Sequence, residues 1–129
     1  MQLKEIPDIS LSAVKRKDRA GWLALFANDA VLEDPVGVSH LDATGKGHHG
    51  IAAIAKFYDD VIEKNETFDY EIHRRFAGAN ELAVFCTFKI TLPGGMRISI
   101  DLVIVYKQNA EGKLESLRAF WEPDQAVPA

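Results

Sequence analysis

Met96-Arg97-Ile98-Ser99-Ile100-Asp101-Leu102-Val103-Ile104-Val105-Tyr106 decides how the fold is read. From Ile98 to Tyr106 every second residue is large and apolar, the period of a strand with one face against a core. The other parity, Arg97, Ser99, Asp101, Val103 and Val105, is polar at one end and apolar at the other. A sheet with apolar stretches on both faces must cover both, so helices are expected on one side and a second copy of the chain, in a homodimer, on the other.

Outward from this strand, Phe68 to Phe76, Leu82 to Leu92 and Leu114 to Trp121 share its β-branched and aromatic content. Turn signals separate them at Ala79-Asn80-Glu81, Pro93-Gly94-Gly95 and Asn109-Ala110-Glu111-Gly112. The N-terminal third carries a helical period instead: Leu11 and Val14, then Trp22, Leu25 and Phe26, with Asp18 placed to cap the second helix. Ile51, Ile54, Ala55, Tyr58, Val61 and Ile62 fall on one face of a third helix. Before it, Ala30 to Asp34 reads as a short strand stopped by Pro35, and Val36 to Gly50 as a polar loop. Helices first and long strands afterwards predict one α+β domain over residues 1–129, with three N-terminal helices on the concave face of a curved antiparallel sheet. Gln125 to Ala129 is expected to be a frayed end.

The 129 residues are 47% apolar and 26% charged, ordinary globular proportions, and the net charge of -4 offers no general attraction for phosphate backbones. No nucleic-acid partner is expected. The single cysteine, Cys86, forms no internal disulfide, no apolar run approaches the roughly 20 residues of a membrane span, and the N-terminus lacks the apolar centre of a secretion signal. These features predict a soluble cytoplasmic protein with no membrane role. His48 and His49 adjoin in a loop and are read as solvated, and no Gly-rich phosphate loop, nucleophile with a His partner or metal quartet stands out. No metal and no cofactor are expected.

Chemistry is expected at Asp34 in Val31-Leu32-Glu33-Asp34-Pro35-Val36-Gly37, where apolar neighbours on both sides can carry its carboxylate into a pocket between helices and sheet. Desolvation there raises a carboxylate's pKa and makes it a better base. The other reading of Asp34 is a turn residue before proline that bonds nearby backbone amides. Phe120 and Trp121 end the last strand with opposite parity, so one of them should line the pocket and the other should pack outward.

Gly21-Trp22-Leu23-Ala24-Leu25-Phe26-Ala27-Asn28-Asp29-Ala30-Val31-Leu32-Glu33-Asp34-Pro35-Val36-Gly37 resembles the corresponding stretch of the ketosteroid isomerases. The resemblance continues through Gly50 to Tyr58 and Gly112-Lys113 to Ser116-Leu117-Arg118-Ala119-Phe120-Trp121. It implies the cone-shaped α+β fold shared with nuclear transport factor 2, the SnoaL-like polyketide cyclases and scytalone dehydratase. It also implies a small hydrophobic ligand, steroid-like or polycyclic, with Asp34 as the general base that carries a proton between carbons. Trp22, Phe57, Leu102, Phe120 and Trp121 are then substrate-binding candidates.

Removing a proton beside a ketone builds charge on its oxygen, which hydrogen-bond donors must stabilise. In the family one donor is a first-helix tyrosine, and the matching position here is Ser10. Tyr58 matches the family's supporting tyrosine and is a second catalytic candidate. The family's protonated aspartic acid has Asp101 as the only acid in the matching strand, yet anchoring on Tyr106 puts Leu102 at that position; a one-residue bulge would bring Asp101 inward instead. A binding protein that keeps the cavity without the donors, and a cyclase or dehydratase of the same fold, are the alternative functions.

Overall fold

The computed structural model describes all 129 residues. Helix α1 (Ile6–Lys15) follows a single 3-10 turn, and α2 (Arg19–Leu23) starts where the Asp18 carboxylate accepts the Gly21 N–H at 3.0 Å. This cap satisfies one of the free N–H groups at the helix start. The second helix is shorter than its apolar period suggests. Phe26 opens strand β1 (Phe26–Glu33), because the carbonyl of Leu25 accepts Leu114 N–H at 2.8 Å and draws the chain into the sheet.

His48 and His49 form a short strand, β2, paired with β1, and are not loop residues. The loop before them is organised by Asp42, whose carboxylate accepts Thr44 Oγ1 at 2.7 Å and Gly47 N–H at 2.8 Å. Gly47 has φ +85°, and a side chain there would meet Glu33 Cγ at 2.8 Å, so only glycine closes this turn against β1. Helix α3 (Ile51–Phe57) then runs into a π-helical turn at Tyr58–Ile62.

Four long strands follow: β3 (Thr67–Gly78), β4 (Glu81–Thr91), β5 (Arg97–Gln108) and β6 (Leu114–Phe120). The sheet order is β2-β1-β6-β5-β4-β3, and β7 (Val127–Pro128) pairs with the start of β5. The sheet is mixed, since β1 runs parallel to β6 while the other pairs are antiparallel. The C-terminal residues are not frayed: Ile98 faces Pro128 across the ladder, and Ala129 N–H reaches Arg97 O at 3.1 Å.

Ile100, Leu102, Ile104 and Tyr106 of β5 are buried with Leu82, Val84 and Cys86 of β4 and Leu117 and Ala119 of β6. The same cluster takes in Ile6, Leu11 and Val14 of α1, Trp22 of α2 and Ile54 and Phe57 of α3, so the helices cover this face. A bidentate pair from Arg75 to Asp8, with Arg75 also donating to Lys4 O at 2.7 Å, ties the start of α1 to β3. No helix is long and apolar enough to cross a membrane.

Candidate active site

Between the helices and the inner sheet face lies a cavity of about 570 Å³, and 21 of its 29 lining residues are hydrophobic. This volume falls within the range of small-molecule sites. Leu11, Val14 and Trp22 come from the first two helices, Phe57 from α3, and Ile100, Leu102, Ile104 and Tyr106 from β5. The rim carries the β4–β5 hairpin residues Leu92, Pro93 and Met96, the tail residues Pro123 and Ala126, and exposed His40, Asp60 and Lys64.

Asp34 lines this cavity directly after β1. The chain turns there through a cis Asp34–Pro35 peptide, and Val36 N–H binds Ala119 O at 2.9 Å, which holds the turn against β6. The Trp121 indole N–H donates to Asp34 Oδ1 at 2.7 Å. Asp34 keeps some accessible surface because the cavity is open to it, yet protein encloses it closely. That enclosure raises its carboxyl to about 6, and the Trp121 hydrogen bond works against the rise. Asp60, the other cavity acid, is exposed and paired with Lys56.

The remaining residues singled out from sequence divide between two places. Trp22, Phe57, Leu102 and Trp121 line the cavity. Phe120 does not: it is 42% exposed on the other sheet face, with the Arg118 guanidinium 5.2 Å from its ring centre. Asp101 also points away, exposed, and accepts a hydrogen bond from Thr87 Oγ1 at 2.6 Å. β4 and β5 pair without a register shift from Glu81 to Thr91, so no bulge turns Asp101 inward and Leu102 keeps the cavity position. Tyr58 is fully buried, but outside the lining; its ring packs 5.6 Å from Trp22 and its hydroxyl has no partner. Burial raises its pKa. No three His, Cys, Asp or Glu side chains converge as a metal-binding group.

Two buried polar lining residues carry no role in the sequence reading: Ser10, inward on α1, and Tyr106, inward on β5. A tyrosine at an apolar strand position reads as core. The only signal that could have marked Tyr106 is a hydroxyl where phenylalanine would pack equally well.

Residues 10–124 match the model of the SnoaL-like domain. The chain belongs to the SnoaL-like domain family. It is 33% identical over 118 residues to the steroid Delta-isomerase of Nocardioides simplex, covering 91% of this chain and 87% of that one. The crystal structure of a Delta 5-3-ketosteroid isomerase from Mycobacterium sp. superposes with a TM-score of 0.90 at 31% identity, covering 98% of both chains. Mycobacterium tuberculosis RV0760c, in complex with estradiol-17beta-hemisuccinate, matches with a TM-score of 0.90 at 29% identity, covering 97% of each chain. These relatives thus share this chain's architecture over nearly its whole length.

Proposed function

We propose that this protein moves a proton within an apolar, steroid-like or polycyclic ketone, with Asp34 as the general base. One observation carries the proposal: a carboxylate with its pKa at about 6 lines a largely apolar cavity. The relatives support the substrate class, since two are named as steroid or ketosteroid isomerases and a third is complexed with a steroid derivative.

The Asp34 carboxylate takes a proton from a carbon beside the carbonyl. The C–H electron pair becomes a carbon–carbon double bond, and the carbonyl π pair moves onto oxygen. Asp34, now a carboxylic acid, returns the proton to a carbon further along the conjugated system as the carbonyl re-forms. The double bond has moved and nothing has been oxidised or reduced. A base with a pKa near 6 is ionised at neutral pH and still basic enough for the transfer. Trp121 fixes the carboxylate by one oxygen and leaves the other free to meet the substrate. Tyr58 backs Trp22 in this scheme, and neither Tyr58 nor Asp101 touches substrate.

The test is turnover of a 5-ene-3-ketosteroid, followed by absorbance of the conjugated product. Wild type should convert it with activity falling as pH drops through about 6. Asp34→Asn should lose about a hundredfold to ten thousandfold. Unchanged turnover in that variant removes Asp34 from the role. A hydrophobic-ligand binding protein is the second reading, favoured by Ser10 standing where the family carries a donor tyrosine. Tight steroid binding by wild type with no turnover would select it.

The assembly we propose is a homodimer through the outer sheet face. Phe85 pairs with Val103 and Val103 with Phe120 across β4, β5 and β6, and these side chains are 38%, 39% and 42% exposed in a continuous row. An apolar row on the centre of a sheet needs covering, and a second copy presents the same row under two-fold symmetry.

A further inference from the structure

The proton-transfer scheme leaves the substrate oxygen without a donor, because Ser10 takes the place of the first-helix tyrosine and Asp101 faces outward. Among the cavity-lining side chains, two hold a buried polar atom with no hydrogen-bond partner: the Tyr106 hydroxyl and the Trp22 indole nitrogen. Trp22 is packed edge-on against Phe26 and beside Tyr58, in the layer formed by the helices and β1. Tyr106 sits on β5 between Leu82 of β4 and Leu117 of β6, on the same inward parity as Leu102 and Ile104.

We infer that Tyr106, with Ser10 beside it, supplies the hydrogen bond to the substrate's carbonyl oxygen. The inference rests on the ketone reading of the cavity. A buried hydroxyl without a partner destabilises the protein unless something else completes it, and phenylalanine would fill the same space without that cost. The Ser10 side chain lies close enough to act on the Tyr106 hydroxyl, although the two do not make a well-formed hydrogen bond. Both border the cavity with the Tyr106 hydroxyl closed off from solvent, so an oxygen that takes the place of the missing partner must displace neighbouring side chains to reach it. Catalytic hydrogen bonds that are loose in an empty site tighten when the substrate arrives.

The electrostatics favour a donor. Burial pushes the Tyr106 hydroxyl well above its usual value, and the Asp34 charge raises it further. It therefore keeps its proton at neutral pH, where Asp34 is ionised.

The experiment compares estradiol with 3-deoxyestradiol, which lacks the ring oxygen, for wild type and Tyr106→Phe, together with turnover of a 5-ene-3-ketosteroid. Wild type should prefer the phenol by about tenfold. Tyr106→Phe should erase that preference while still binding the deoxy compound. Its kcat should fall about a hundredfold to a thousandfold with KM little changed, and the activity midpoint set by Asp34 should stay near pH 6. Ser10→Ala should weaken the preference less. If Tyr106→Phe keeps both the preference and kcat, the donor role is overturned and the ketone reading stands. If neither compound binds wild type, both are overturned.

Discussion

The two faces of β5 carry chemically opposite content on one backbone. Leu102 is buried in the cavity wall, while its neighbour Asp101 is exposed and held by Thr87. One step along the strand separates a position that lines the cavity from one that faces outward. The site's acid comes from elsewhere, the end of β1, where a turn brings Asp34 under the same apolar roof. Strand parity therefore decides which polar groups can act, and their identity matters only after that.

The largest test of this contrast is the pair of acids. Asp34→Asn should lower turnover about a hundredfold or more, whereas Asp101→Asn should stay within about twofold, measured on the same 5-ene-3-ketosteroid. An equal loss in both would break the distinction between the faces. Next is packing: Leu102→Ala should destabilise the protein by about 2–5 kcal/mol in urea unfolding, the range for emptying a core position. Val103→Ala, half-exposed on the other side, should cost under about 1 kcal/mol in the monomer.

Asp34 should also impose a pH-dependent stability cost. Its folded-state value of about 6 lies above the ordinary 3.8, so the folded protein holds this proton more tightly than the unfolded chain. The cost is absent below about pH 4, grows between 4 and 6, and is complete above 6. Asp34→Asn should therefore be more stable than wild type above pH 6, by up to about 3 kcal/mol, with the difference vanishing at low pH. Urea midpoints that stay apart at pH 4 would place the cause outside the carboxyl. The smallest expected change is in assembly: wild type should sediment as a dimer at micromolar concentration, and Val103→Asp should shift it towards the 14.3 kDa monomer with little effect on its melting temperature. A wild-type monomer would leave the outer row of Phe85, Val103 and Phe120 unexplained by self-association.

Much of this arrangement was legible because β periodicity is local. The alternation from Ile98 to Tyr106 placed the inward residues of β5, and the opposite parities of Phe120 and Trp121 anticipated that only one lines the cavity. The parallel pairing of β1 with β6 carried no such signal, since it joins residues about 85 positions apart. Phe26 looked helical by spacing and became strand through that same pairing. Gln125 to Ala129 reads as a frayed end, yet an edge position on β5 takes up its last residues. Tyr58 shows the limit of helix-face reasoning. Its face is inward as expected, but it packs behind Trp22, which itself lines the cavity.

The rim of the cavity has a consequence for how such a protein changes over generations. Met96 and Pro93 in the β4–β5 hairpin and Pro123 in the tail are exposed on one side and border the opening on the other. Substitutions there reshape the border of the cavity while leaving the packed wall and the Asp34–Trp121 pair untouched. The mouth of the cavity can thus be redrawn through a few surface codons, without first having to repair a damaged core.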